Sequence, residues 1–207
     1  GQGPEGAELI ILCYAERHVR ARPGELFVKV IPFGIGLGID NRRRDFGVFA
    51  SAYIKPYPRR FAALTMADFA QWGDPVLVRD GDFADRCIQH LEEDAARGAR
   101  GLKVTKELGL RFTDARGRVL PVDDERLAPI WTRAGELGLP VLIHVSDPVA
   151  FFLPLDEHNE HYPTLQEFPG WGFQDAFYTK WELLEQRNHI IARHGKTTFI
   201  LPHVANN

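Results

Sequence analysis

Cysteine is scarce in this chain: Cys13 and Cys87 are far apart and form no C-x-x-C pattern. That excludes a disulfide framework and a thiolate zinc site, and makes a reducing, cytoplasmic setting the expectation. A strong charge of either sign is also missing. The net charge of -3 and pI near 6.3 offer no general attraction to nucleic acid or to an anionic membrane. The one local basic run, Arg42-Arg43-Arg44, reads as a solvated helix face. No stretch reaches the roughly 18 uninterrupted apolar residues that a membrane span needs. The opening "GQGPEG" has neither the basic nor the apolar region of a signal peptide. A glycine-rich phosphate loop is absent too, because "GIGLGIDN" (34–41) lacks the third glycine at the dinucleotide spacing.

What is present suits a folded core. Of 207 residues, 44% are hydrophobic, enough for one domain spanning 1–207. The chain begins without Met, contains only Met66, and stops directly behind an apolar run. The expectation is therefore a piece of a longer product.

From residue 60 onward short β-like runs alternate with segments of helical period. "RFAALTMADF" (60–69), "RGLKVTK" (100–106), "LPVLIHV" (139–145) and "TTFILPH" (197–203) read as strands, and "ELFVKVIPF" (25–33) as one more upstream. Between them, a helix opening at Asp82 carries Ala84, Cys87, Ile88, Leu91 and Ala95 on one face and ends at Gly98. A second, capped by Asp123 or Asp124, carries Leu127, Ile130, Trp131, Ala134 and Leu137 and stops at Gly138. In a third, Thr179 and Glu182 have the spacing of a capping box, and Gly195 ends it. Residues 39–54 read as a helix, 7–21 as either type, and 146–178 as a long irregular insertion of active-site character. Crossover helices join only parallel strands, so the pattern is α/β with a sheet covered on both faces.

Catalytic groups of such folds gather at the C-terminal ends of the strands. His144 and His203 both sit there, each closing an apolar run. Two imidazoles brought together could share a divalent cation, or divide metal binding and proton transfer between them; either could also be a hydrogen-bonded structural residue. Lys103, between Leu102 and Val104, is costly to bury without a partner, unless it points outward and snorkels along a helix. Lys106 reads as solvated, Asp147-Pro148 as the start of a turn, and the six remaining histidines as surface or structural. Phe151, Phe152, Trp171 and Phe173 either wall a pocket or pack the insertion down.

The run from "GLKVTKELGLRFTDARG" through "LIHVSDPVAFFLPLDEHNE", with "RNHIIARHGKTTFILPHVANN" downstream, resembles the amidohydrolase-related (amidohydrolase 2) group over residues 60–207. Its most specific pieces are "LIHVSDP" with the following "FF-x-P-x-D", and "HVANN". The resemblance implies a (β/α)8 TIM barrel, of which this chain would hold the middle part, about strands 2–6. It implies one or two divalent ions, usually zinc, bound by an H-x-H pair, a fifth-strand histidine, a sixth-strand histidine and an eighth-strand aspartate. By that correspondence His144 is a metal ligand, His203 a metal ligand or proton-transfer group, and Lys103 a partner for an anionic substrate. The implied function is a metal-dependent hydrolase acting on a small carboxylated substrate by metal-activated water. The alternatives are a decarboxylase of the same family and a non-catalytic barrel without ligands. No H-x-H occurs in the sequence, and homo-oligomer formation is left open.

Overall fold

The computed structural model describes residues 29–32, 46–56, 58, 61–67, 69, 83–114, 116–146 and 148–202. Among these residues five strands form one sheet: β1 (Lys29–Pro32), β2 (Phe61–Met66), β3 (Leu102–Val104), β4 (Val141–Ile143) and β5 (Phe199–Ile200). All neighbours are parallel, and the spatial order is the sequence order. A doubly wound sheet reverses its strand order at a switch point, whereas a (β/α)8 barrel adds each strand beside the last. The fold is thus of the TIM-barrel type, with five strands where the sequence pattern placed five.

The helices follow their sequence signals. α1 (Phe46–Phe49) runs into a π-helical stretch at Ala50–Ile54, within the expected helix 39–54. α2 (Phe83–Ala96) buries Phe83, Cys87 and Leu91, and Gly98 takes φ +102° just beyond it. α3 (Ala128–Glu136) is preceded by a 3-10 turn at Glu125–Leu127, whose cap is Asp124 accepting the Arg126 backbone N–H at 3.0 Å. At Gly138, φ +66° ends that segment. α5 (Lys180–Arg193) starts with the full capping box: Glu182 donates its backbone N–H to Thr179 Oγ1, and the Glu182 carboxylate accepts the Thr179 N–H.

One apolar layer joins sheet to helices. Ala67, Leu102, Val104, Val141, Ile143 and Val145 share a core with Cys87 and Leu91 of α2, Ile130, Trp131 and Ala134 of α3, and Leu183 and Ile190 of α5. Burying a side chain such as Ile130 or Leu183 completely contributes about 1.5–3 kcal/mol. Because strand side chains alternate, these residues leave Met66, Lys103 and Leu142 on the opposite face, where they stand in register across β2, β3 and β4. The strands approach closely at Gly101, where a Cβ would meet the Pro140 carbonyl oxygen at 2.6 Å and Leu64 Cδ2 at 2.7 Å.

The insertion after β4 is less irregular than its composition suggests. It contains a 3-10 turn at Val149–Phe152, α4 (Tyr162–Glu167) and a second 3-10 turn at Pro169–Trp171. Buried Asn159 stitches it together, its side-chain amide donating to the carbonyls of Ala150 (2.7 Å) and Pro154 (3.1 Å). After β3, a tight hairpin pairs Thr113 with Val119. Asp114 holds its turn by accepting N–H bonds from Arg116 and Arg118.

Candidate active site at the C-terminal ends of β3 and β4

Lys103 is 2% exposed, and its neighbours in register are Met66 and Leu142. Of its two sequence-level readings, burial on the face away from the helices is the observed one. At that depth charge interactions are stronger than at the surface.

His144 follows β4 directly. Its backbone N–H donates to the Val104 carbonyl at 3.1 Å, extending the β3–β4 pairing by one residue. Ile143 and Val145 on either side both enter the helix-facing core, so the His144 side chain leaves on the other face, half-buried. That is the face of Lys103. The two residues sit on adjacent strands, roughly 5 Å apart laterally, with His144 roughly two residues further toward the C-terminal rim. Thr105, 7% exposed, lies beyond Lys103 at the end of β3.

His203 lies outside the described residues, as do Asp147, the segments 7–21 and 34–41, and Arg42-Arg43-Arg44. A half-buried imidazole such as that of His144 is a donor type that divalent ions take. Among the described residues no three of His, Cys, Asp and Glu converge, so the fit to a metal here consists of one described donor.

Ser146 escaped the sequence reading. It is fully buried and takes φ +62°, the one positive φ outside glycine among the described residues. Its polar run with Asp147 and Pro148 signalled a turn, but nothing in composition marks its handedness.

The aromatics of the insertion divide. Phe151 and Phe173 are core residues joined by the Phe173 N–H to Phe151 carbonyl bond at 2.7 Å, and Phe152 packs on Phe173 with ring centroids 5.5 Å apart. Trp171 instead stacks on Phe168 at the surface, 4.7 Å between centroids. Lys106 is half-buried rather than fully solvated: its Nζ lies 5.1 Å from the Phe173 ring centre, where the ring face attracts a cation. Arg111 lies against the same ring at 5.2 Å and donates to the Gly170 carbonyl. Other histidines have structural partners: His189 bonds Asp123 at 2.8 Å, His194 bonds Thr132 at 3.3 Å, and His161 meets Phe151 edge-on.

A separate cleft of about 500 Å³ lies between the Asp114–Pro121 hairpin and Phe177–Tyr178. Neither Lys103 nor His144 lines it. Its charges are closed into pairs, Asp114 with Arg118 and Asp124 with Arg126, each at 2.6 Å. The Arg118 side-chain bond leads the effects that hold Asp114 down to about 2. For Asp124 burial works upward, but the bonds from Arg126 outweigh it and leave the carboxyl lowered. Burial raises the Tyr178 hydroxyl.

The amidohydrolase family model (amidohydrolase 2) matches residues 40–207. Among curated proteins none matches. Similar solved structures include 2,6-dihydroxybenzoate decarboxylase from Rhizobium, with 19% identity and a TM-score of 0.44 over 74% of this chain and 42% of that one. A dihydroxybenzoic acid decarboxylase from Polaromonas, solved with manganese and 2-nitroresorcinol, gives 18% and 0.38 over 74% and 40%. An amidohydrolase from Mycobacterium avium subsp. paratuberculosis gives 19% and 0.37 over 68% and 31%. This chain thus spans less than half the length of each of these three structures. With the family model covering most of the sequence, and with parallel strands laid down in chain order, the chain belongs to the amidohydrolase family.

Proposed function

We propose that this chain contributes to a metal-dependent hydrolase site acting on a small carboxylated substrate. The observation that carries the reading is the common face of Lys103 and His144 at the C-terminal ends of β3 and β4. A buried ammonium and a half-buried imidazole on one face suit a substrate with an anionic end and a reacting centre a few ångströms away. His144 would hold the ion, with His203 as second ligand or as the group that moves a proton. The chemistry such an ion, zinc in the first instance, would supply when held there is Lewis acidity toward water and toward a carbonyl or carboxylate. Lys103 would orient the substrate by pairing with its carboxylate. Decarboxylation by the same family would use the same placement: the carbon–carboxyl bond breaks, carbon dioxide leaves, and the bond's electron pair on the remaining carbon takes up a proton.

The test is metal content and turnover of the full-length product. Stoichiometric zinc or manganese, lost in His144→Ala together with turnover of small aromatic or aliphatic carboxylates, is the expected result. Intact occupancy and full activity in that variant would remove the proposal. Release of carbon dioxide in place of a hydrolysis product would move the assignment to a decarboxylase.

A further inference from the structure

We propose that the Thr105 hydroxyl is a further substrate contact, donating a hydrogen bond to the carboxylate that pairs with Lys103. The inference rests on the functional reading given above. Three threonines are buried among the described residues: Thr65, Thr105 and Thr197. Two of them have their hydroxyls satisfied within the fold, Thr65 by the Asp94 carboxylate and Thr197 by the Trp131 carbonyl at 2.9 Å. Thr105 is the exception: at 7% exposure, its hydroxyl meets no hydrogen-bond partner among the described residues. Its oxygen is not sealed in, so a ligand reaches it. Burying a hydroxyl without a partner is unfavourable, and native structures leave few such groups unless something outside the fold completes them.

Strand register fixes what stands beside it. β3 and β4 pair as Lys103 with Leu142 and Val104 with Ile143, and the Val104 carbonyl accepts the His144 N–H, so Thr105 and His144 are the next pair. Val104 and Ile143 turn into the helix-facing core, which leaves Thr105 and His144 side by side on the face of Lys103. Thr105 thus stands roughly 5 Å from His144 across the strands and about 7 Å from Lys103 along β3. An ammonium on a flexible stem attracts a carboxylate without fixing its tilt. The threonine hydroxyl, on a side chain stiff at χ1, adds one directed donor to a group that only accepts. Together they hold the carboxylate plane, so that the rest of the ligand extends toward His144.

Thr105→Val removes the hydroxyl at nearly constant shape, whereas Thr105→Ser keeps the hydroxyl and loses the methyl group. Both are made in the full-length protein and first read by urea unfolding without ligand. A hydroxyl with no partner in the fold contributes nothing to it, so Val should match or exceed the parent midpoint. A Val midpoint below that of the parent, recovered by Ser, would make the hydroxyl structural and overturn the proposal. The second readout is Kd for benzoate by isothermal titration calorimetry, alongside KM and kcat for the carboxylate that the parent turns over. Val should raise Kd and KM by about 10- to 100-fold, the loss expected for a hydrogen bond to a charged group, with Ser within about threefold of the parent. Metal content should be unchanged, and kcat within about twofold, because a contact to the charged end holds ground state and transition state alike. Val equal to the parent in Kd and KM, or impaired in kcat alone, overturns the proposal. Should His144→Ala keep its metal and turnover, the functional reading fails separately, and the Kd values of the Thr105 variants still decide this contact. A parent that neither binds benzoate nor turns over any carboxylate overturns both.

Discussion

Lys103 and His144 lie on the same face of the sheet, Lys103 opposite Leu142 and His144 two residues beyond it on β4. On the function proposed above, this placement would orient a carboxylated ligand with its charged end at Lys103 and its reacting end toward His144 at the rim.

Lys103→Met keeps the length and apolar stem and removes the charge. Charge-assisted hydrogen bonds are worth about 1.5–3 kcal/mol. KM for a carboxylated substrate should therefore rise by about 10- to 100-fold, with metal occupancy unchanged. An unaltered KM would detach Lys103 from the ligand.

Asp114 makes the stability of the β3–α3 hairpin sensitive to acid. Its folded value, about 2, lies below the ordinary 3.8, so the unfolded chain takes up the proton first as pH falls. The contribution is fully present above about pH 4 and is lost as pH drops through about 2. Carbon-13 NMR of the side-chain carboxyl should give a midpoint near 2. The Tm difference between the parent and Asp114→Asn should shrink over the same interval.

Thr179→Ala removes one half of the capping box at the start of α5. We expect a loss of about 1 kcal/mol in urea unfolding, within the usual range for an N-cap. Thr179→Ser should recover most of it, because the hydroxyl acceptor remains.

Gly101→Ala places a methyl group within 2.6 Å of the Pro140 carbonyl and 2.7 Å of Leu64 Cδ2. The backbone oxygen cannot swing aside as a side chain would. A destabilisation of about 1–3 kcal/mol by urea unfolding is expected. An undisturbed midpoint would mean that β3 and β4 separate more easily than their pairing implies.

Much of this fold was legible because its signals are local. Asp124 and Gly138 bracket the second helical segment, and Thr179 with Glu182 opens α5, since caps and positive-φ stops act over three or four residues. The strands were legible as apolar runs, which a sheet covered on both sides demands. The same continuity hid the orientation of Lys103. In Leu102-Lys103-Val104 apolar neighbours flank the lysine whichever face it takes, and only the partners of Leu102 and Val104 in α2 and α3 decide it. Phe151 and Phe173 were undecided for a related reason: their contact spans twenty-two residues of chain, and no local pattern encodes it.

From its own letters the chain determined the parallel α/β alternation, the ends of α2, α3 and α5, and the candidacy of His144 and Lys103, all consequences of periodicity and short-range hydrogen bonding. Tertiary structure alone decided that Lys103 is buried away from the helices beside the His144 wall, that Lys106 and Arg111 rest on Phe173, and that Ser146 turns left-handed. Each depends on which surfaces meet when the sheet packs, and packing is a property of residues distant in sequence.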